Sequence, residues 1–217
     1  MIRRLLLAAA LAPSLLLIPV TAAAQGTPAA PAARQQPTGP YTQRWNIDRS
    51  HSEMTFSIRH IVSRVRGTFR QWEGAITIPD PVNWERGSSI DVSIQTASIF
   101  TDHERRDAHL RTSDFFLADS FPTITFRSTR IERSGDDARI HGNLTMRGVT
   151  RPVVITGEFL GTQGAEFQRV GFEGSTKLNR LDYGVAWNRA VEGGGVTLGD
   201  EVTITLSIAA TRSRATQ

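Results

Sequence analysis

The stretch Arg105–Phe116, with the sequence RRDAHLRTSDFF, concentrates the groups in this chain that could do chemistry. It holds two carboxylates, one histidine, three arginines and two adjacent phenylalanines. Carboxylate and imidazole groups serve in acid–base catalysis, and a few such groups also form the polar border of apolar binding sites. Asp107 and His109 lie two positions apart, so on a helix they point in different directions. An enzyme of unknown reaction using Asp107 and His109 is therefore kept as an alternative and not as the first interpretation.

Other catalytic and metal-binding patterns are absent from the sequence. None of the five histidines stands in a His-Glu-x-x-His motif, and His103 and His109 are six residues apart, on nearly opposite sides of an ideal helix. The chain has no cysteine, which excludes disulfides, thiolate metal sites and a thiol nucleophile. Neither a Gly-x-Ser-x-Gly motif nor a phosphate-binding glycine loop occurs. We predict no catalytic residue, no metal site and no cofactor.

The first 24 residues have the composition of a cleaved secretory signal. Arg3 and Arg4 precede an apolar run over Leu5–Val20, and Ala22–Ala24 supply small residues for cleavage. The run is interrupted by prolines, and no later segment approaches the roughly 18 consecutive apolar residues of a membrane helix. We expect a periplasmic protein without an integral membrane segment after cleavage.

A low-hydropathy segment rich in proline and alanine follows the signal. Such a composition buries too little surface to offset the entropy of ordering, so residues 25–40 are predicted to be a disordered tether. The barrel domain is predicted over 41–212 and a short tail over 213–217. The net charge of +4 falls to +2 once Arg3 and Arg4 are removed, and the basic residues are scattered among acids. Nucleic acid is therefore not an expected partner.

Alternation of apolar and polar residues recurs through nearly the whole domain and predicts strands with one wet face. Met54, Phe56, Ile58 and His60 share one face of the first clear example. Eight or more strands fit between the turn signals, with antiparallel neighbours because most connections are short. Two packed sheets or one closed barrel satisfy this pattern, and closure removes exposed strand edges. An eight-stranded barrel either fills with side chains or holds one small ligand.

A single helix interrupts the strands. Thr101 and Glu104 have the spacing of a capping box, which predicts a helix from there to about Arg111. Ser113–Asp114 can cap a second short turn that carries two phenylalanines. A helix in an otherwise all-β domain would serve as a lid or plug.

The inward positions of the predicted strands and of the helical segment are large and apolar. They either fill the core or line a ligand cavity, and periodicity does not distinguish the two; a one-residue change of register would also turn them outward. The candidate lining residues are Met54, Phe56, Ile58, Phe69, Ile94, Leu110, Phe115, Phe116, Phe126, Leu144, Met146, Phe172 and Trp187.

The order of several motifs resembles one known family. The domain from Trp45 to Thr211 is similar to the YceI-like family of polyisoprenoid-binding proteins, on the motifs WNIDRSHSEMTFSIRH (45–60), GTF (67–69), RRDAHLRTSDFFLADSFPTITFRS (105–128), GNLTMRGVTRPV (142–153), NRLDYG (179–184) and GDEVTITLSI (199–208). The resemblance implies an all-β, lipocalin-like antiparallel β-barrel of about eight strands with one short helix as lid or plug. It also implies an exported protein that holds a long-chain isoprenoid, an isoprenoid quinone or a similar amphiphile, with no hydrolytic or redox chemistry.

We hypothesise that the helix lies near the opening of the cavity. Leu110, Phe115 and Phe116 would face the ligand, while Asp107, His109 and Arg111 would pair with the NRLDYG block. Two roles stay open for these polar residues, contact with a ligand head group and a hydrogen-bond network that fixes the lid. The full polar set is His51, His60, Asp107, His109, Arg111, Asn179, Arg180 and Asp182.

The expected partner is the lipid itself. For its carriage, storage or scavenging, a membrane or a membrane protein is a possible transient partner. Whether the barrel forms a homodimer is left open. A filled barrel that acts as a partner-binding module is the other alternative.

Overall fold

The structure, a computed structural model, describes residues 43–79, 83–163, 169–192 and 194–212. The predicted signal peptide (1–24), tether (25–40) and C-terminal tail (213–217) lie outside the described residues. Within them the chain forms eleven strands and one α-helix: β1 Gln43–Ile47, β2 Glu53–His60, β3 Ser63–Phe69, β4 Trp72–Ile78, β5 Ser89–Gln95, β6 Ile99–Phe100, α1 Glu104–Leu110, β7 Thr123–Ser134, β8 Asp137–Met146, β9 Val149–Gln163, β10 Arg169–Asn179 and β11 Leu198–Arg212. Short 3₁₀ turns occupy Arg49–His51, Thr96–Ser98 and Arg180–Tyr183.

Eight antiparallel strands close into a barrel in the order β1-β4-β5-β7-β8-β9-β10-β11, and β11 pairs again with β1. The predicted lipocalin-like antiparallel barrel with a single helix is confirmed. β2 and β3 extend this ring, because β2 pairs with the first half of β11 and β1 with its last residues. The 3₁₀ turn Arg49–His51 separates β1 from β2, so the two act as one long, bent strand beside β11.

The antiparallel register defines two ends of the barrel. The helix end carries α1, the β2–β3 hairpin, the β8–β9 hairpin and the connection from β10 to β11. The terminal end carries the first and last described residues, Gln43 and Arg212, and the turn between β7 and β8.

Alternate residues of each strand face the inside, as the sequence pattern predicts. Ile94, Ile124, Phe126 and Leu144 are all buried in one core cluster, and Phe126 pairs directly with Leu144 across β7 and β8. At the roughly 25 cal/mol per Å² of buried apolar surface, each such side chain stabilises the fold by about 2 kcal/mol.

Candidate functional site

The interior of the barrel is not filled by side chains. A cavity of about 830 Å³ extends from the helix end to the terminal end, which is near the upper end of the ~300–1,000 Å³ typical of small-molecule sites. Its wall consists mainly of inward-facing apolar residues of the strands. This cavity contradicts the alternative of a filled barrel. The structure places all thirteen predicted lining residues on it: Met54, Phe56, Ile58, Phe69, Ile94, Leu110, Phe115, Phe116, Phe126, Leu144, Met146, Phe172 and Trp187. Their contact with a ligand stays a prediction.

Helix α1 and the turn after it cover the helix end of the cavity. Leu110, Phe115 and Phe116 border the cavity from this segment. The Phe116 ring packs edge-on against Phe69, with centroids 5.8 Å apart. The Phe115 ring lies 5.2 Å from the ring of Trp187. The segment therefore forms an aromatic cover over the barrel interior.

The start of α1 differs from the predicted capping box of Thr101 and Glu104. The N-cap is His103, whose Nδ1 accepts a hydrogen bond from the Arg106 amide at 3.3 Å. Asp102 has a positive φ of 59° and reverses the chain direction just before the helix. Thr101 therefore lies before the first turn of the helix, beside the end of β6. Its hydroxyl donates a hydrogen bond to a residue other than Glu104.

That partner is Asp107, a carboxylate that is only 4% exposed. The Thr101 backbone amide donates to Asp107 Oδ1 at 2.9 Å, and the Thr101 hydroxyl donates to the same oxygen. Arg106 donates to the Thr101 hydroxyl oxygen at 2.7 Å and to the Thr101 carbonyl at 2.6 Å. Because a buried carboxylate is costly without donors, this network fixes α1 to the end of β6.

Two further arginines fix the cover by donating to backbone carbonyls. Arg111 donates to the carbonyls of Ala97 at 2.7 Å and Ile99 at 3.2 Å. Arg147, from the β8–β9 turn, donates to the Ser113 carbonyl at 2.9 Å and also to the Phe115 carbonyl. Arg147 was not among the predicted site residues. Its position just before a glycine in a hairpin turn was the available signal, because a turn residue can reach across to a neighbouring loop.

His109, like Arg106, is a polar residue of α1 that borders the cavity. Its Nε2 lies 2.7 Å from Asp114 Oδ2. Its ring packs edge-on against Phe115 at 5.0 Å and Trp187 at 5.3 Å between centroids. His109 and Asp107 have different hydrogen-bond partners, so the structure does not assemble the Asp107–His109 pair of the enzyme alternative.

Arg180 is a buried cation, only 3% exposed, that organises the connection between β10 and β11. Its guanidinium donates to the carbonyls of Val185, Trp187 and Gly199 and lies 3.2 Å from an Asp200 carboxylate oxygen. Burial lowers the pKa of Arg180, and the Asp200 charge opposes that shift. Arg180 also borders the cavity.

The predicted pairing of Asp107, His109 and Arg111 with the NRLDYG block is therefore wrong. Each of the three has a nearer partner in its own segment or in the preceding turn, as described above. The two blocks meet instead through Trp187, whose carbonyl accepts from Arg180 and whose ring packs against His109. Aromatic packing, which charge patterns do not reveal, connects them.

The remaining polar candidates have local roles. The Asn179 carboxamide oxygen accepts from the Leu181 amide at 2.9 Å and caps a 3₁₀ turn, and Asp182 is exposed in that turn. His60 borders the cavity at the end of β2.

His51 is exposed and lies 2.8 Å from Asp48. Hydrogen bonds from Ser50 and then from His51 lower the pKa of Asp48 to about 2.

The outer edge of β3 is only partly paired. Thr68 and Phe69 pair with β6, and among the described residues the edge from Ser63 to Gly67 has no strand partner on that side. Gly67 allows its neighbours to approach closely, because an added Cβ would lie 2.6 Å from Phe56 and 2.7 Å from Thr101. The polar residues on the cavity wall in this region are His60, Ser63, Arg64, Arg66, Thr101, Arg106 and His109.

The terminal end of the cavity is aromatic. Trp45, Trp84 and Phe159 border it, and the rings of Trp84 and Phe159 lie 5.4 Å apart. The indole Nε1 atoms of Trp45 and Trp84 are buried and have no hydrogen-bond partner among the described residues. Neither tryptophan was among the predicted site residues, because each stands outside the clear alternating segments and gives no periodic signal.

The described residues also bear on metal binding and on membrane spanning. In the described ranges, no group of three or more histidines, aspartates and glutamates is close enough to hold a metal ion. No helix among these residues has the length and apolar character needed to cross a membrane.

Comparison with known proteins agrees with this architecture. The model of the YceI-like domain matches residues 45–210. A UPF0312 protein of Pseudomonas paraeruginosa is 39% identical over 146 residues, which cover 65% of this chain and 75% of that protein. BcnA of Burkholderia cenocepacia has a similar crystal structure, with a TM-score of 0.67 at 22% identity, over 76% of this chain and 99% of that one. A polyisoprenoid binding domain from Saccharophagus degradans gives a TM-score of 0.59 at 13% identity, over 78% and 98%.

The family model covers most of the chain, and the barrel, its single helix and its apolar interior agree with it. This chain belongs to the YceI-like family.

Proposed function

We propose that this chain is an exported lipid-binding protein that holds a long-chain isoprenoid, such as a polyprenoid or an isoprenoid quinone, inside the barrel. The observation that carries the proposal is the apolar cavity of about 830 Å³ along the barrel. An isoprenoid chain offers no directional bonds, and burial of each methylene-sized group contributes about 0.8 kcal/mol before ordering costs. The polyisoprenoid binding domain of S. degradans, similar in fold, supports this ligand class.

The wall can adapt to chains of different length. Met54 and Met146 both border the cavity, and methionine side chains are flexible enough to fill irregular space. Export to the periplasm belongs to the same proposal and is supported by the composition of residues 1–24. Carriage, storage or scavenging of the lipid would each use this arrangement.

The polar head group of the ligand would lie at the helix end. His60 and His109 border the cavity there, and Arg106 and Arg180 lie on the same wall. These groups could donate hydrogen bonds to a quinone carbonyl or an alcohol oxygen. Asp107 and Arg111 would act only by fixing the lid.

The first experiment is native mass spectrometry and organic extraction of the protein purified from its own host. A co-purified long-chain isoprenoid supports the proposal. Protein that is empty after gentle purification, and that does not bind added isoprenoid quinone, contradicts it.

A matched pair of variants on β9 tests whether the ligand lies in the cavity. Val153 borders the cavity, whereas its neighbour Val154 is 41% exposed on the outside of the strand. Val153→Trp should reduce lipid occupancy at least severalfold because the indole fills the path of the chain, while Val154→Trp should retain it. Equal occupancy in both folded variants would place the lipid elsewhere.

The role of His109 is tested by His109→Ala and titration with an isoprenoid quinone. Weaker binding with unchanged stability supports contact with the head group. A lower melting temperature with the same affinity shows that His109 only holds the cover.

A further inference from the structure

The tip of the β2–β3 hairpin, Ile61–Val62, is the most exposed apolar feature at the helix end. Val62 is 98% exposed and Ile61 is 43% exposed. Of the six large apolar side chains that are exposed among the described residues, four lie at this end: Ile61, Val62, Leu181 and Val196. Val196 is next to the hairpin, because the carbonyl of Thr197 accepts a hydrogen bond from the Ile61 amide at 2.8 Å.

The backbone of this tip is strained for the residues it carries. His60 pairs with Ser63, so the loop has only two residues, and Ile61 has a φ of 49°. Glycine or asparagine is the usual choice at such a position, because the side chain of a β-branched residue clashes with the backbone in the left-handed region. Strain of this kind persists mainly at functional positions. The two bulky apolar side chains at the tip are therefore candidates for a binding role.

The outer face of the same hairpin is cationic. Arg59 and Arg64 are direct cross-strand partners, and Arg66 is the next outward residue of β3. All three are exposed, and no acidic residue occurs between Glu53 and Glu73. Like charges placed directly opposite on a sheet destabilise it, so this arrangement favours an anionic partner.

The acids on the neighbouring strand are already paired. Gly199 of β11 lies beside Arg59, with 3.3 Å between its added Cβ and the Arg59 Cβ. The next two residues are Asp200, which lies 3.2 Å from Arg180, and Glu201, which lies 2.9 Å from Lys177. In the described part of the chain, the ion pairs of arginine and lysine are made by residues other than Arg59, Arg64 and Arg66.

We propose that the hairpin segment Arg59–Arg66 docks this protein on an anionic phospholipid bilayer, with Ile61 and Val62 inserted at the interface and the three arginines on lipid phosphates. Apolar side chains next to arginines are the combination that binds peripheral proteins to anionic membranes. Ser63, Arg64, Val65 and Arg66 also border the cavity. Docking therefore brings this part of the cavity wall to the membrane surface. The docking does not depend on which ligand the cavity holds.

A single introduced cysteine can be labelled specifically, because the chain contains no cysteine of its own. Val62→Cys, labelled with an environment-sensitive fluorophore, should shift its emission to the blue when vesicles of phosphatidylglycerol and phosphatidylethanolamine are added. Phosphatidylcholine vesicles should give little change. The matched control is Leu160→Cys, a residue that is 55% exposed on β9 near the terminal end. No shift at Val62, or an equal shift at both positions, would overturn the proposal.

The charge requirement is tested by cosedimentation with the same anionic vesicles. The triple variant Arg59→Gln, Arg64→Gln and Arg66→Gln should lose roughly a hundredfold in partitioning at low salt, since each basic residue near an anionic surface contributes about 1 kcal/mol. The control triple, Arg44→Gln, Arg139→Gln and Arg169→Gln, removes the same charge from exposed positions near the terminal end. Equal losses in both triples would show only a net-charge effect and would contradict docking by the hairpin. Thermal melting verifies that all variants are folded.

Discussion

At the helix end of the barrel, charged side chains hold the loop backbone beneath the aromatic cover, whereas apolar packing holds the terminal end. Arg111, Arg147 and Arg180 each donate to at least two main-chain carbonyls, and Asp107 accepts from Thr101. At the terminal end, Trp45 packs with Ile78 and Ala210 in an apolar cluster. Loops without strand partners need such side-chain hydrogen bonds to satisfy their backbone. The helix end is therefore built from loops that side-chain hydrogen bonds hold in place, and the terminal end from apolar packing.

The largest expected effect is at Arg180. Arg180→Met would leave the three carbonyls without their donor, so we expect a loss of about 3–5 kcal/mol in the free energy of unfolding, because each buried polar group left unsatisfied costs about 1–3 kcal/mol. Lys177→Met is the matched control, because it breaks an exposed ion pair on the adjacent strand and should cost no more than about 1 kcal/mol. Urea denaturation measures the free energy of unfolding of both variants. Equal losses would show that the buried cation does not stabilise the helix end.

Asp107→Ala should have the next largest effect. It removes the acceptor that ties α1 to Thr101, and hydrogen bonds to a charged group contribute about 1.5–3 kcal/mol. Limited proteolysis should show faster cleavage between residues 101 and 120, and urea denaturation should show the loss. Asp114→Asn, on a side chain that is 48% exposed, should change both measurements little. An unaltered cleavage pattern in Asp107→Ala would contradict the role of this network.

Trp45→Phe tests whether the terminal end also recognises a polar group. The change removes an indole N–H that has no partner among the described residues, so the stability cost should be only about 1–2 kcal/mol. If the head group of the ligand lies at the helix end, binding of an isoprenoid quinone and of the hydrocarbon of equal chain length should change alike. A loss confined to the quinone would place the head group beside Trp45. Trp72→Phe, a buried tryptophan on β4 that also borders the cavity, makes the same change as a control.

The smallest effect is expected at Tyr183, whose buried hydroxyl has no partner in the described part of the chain. Tyr183→Phe should leave stability unchanged or raise it by up to about 1 kcal/mol, because it removes an unpaired polar group. Burial, and then the Asp182 charge, raise the pKa of Tyr183 above 10.0. The tyrosine therefore ionises more readily in the unfolded chain, so the stability is unaffected by this group below pH 10 and falls as the pH rises through the folded pKa. Alkaline unfolding should therefore begin at a higher pH in the variant, and identical profiles would contradict this.

The strands and their inward faces could be predicted from sequence because period-two alternation reports burial directly. Met54, Phe56 and Ile58 follow that pattern, and so do Val202 and Ile204, and the structure places all of them on the cavity wall. The alternating pattern by itself could not predict the cavity, since the same apolar pattern fits a filled core; only the resemblance to the YceI-like family implied a barrel that holds a ligand.

Side-chain partners at the helix end were the part that sequence spacing did not predict. The spacing of Thr101 and Glu104 is that of a capping box, yet the positive φ of Asp102 moves Thr101 beyond the helix and toward Asp107. Apart from the Asp200 carboxylate beside Arg180, the partners of Arg147 and Arg180 are main-chain carbonyls, and every residue carries such an acceptor. Residue types therefore contain no signal that would identify these partners.

The closure between β1 and β11 has a consequence for how the chain folds. Trp45 pairs with Arg212 and Ile47 with Ala210, so the closing strands come from opposite ends of the domain. Contacts that are so distant in sequence form slowly and late. During synthesis, the barrel has an open side and an exposed apolar interior until its last strand has been made. A chain that ended only a few residues before Arg212 would lack the closing pairs.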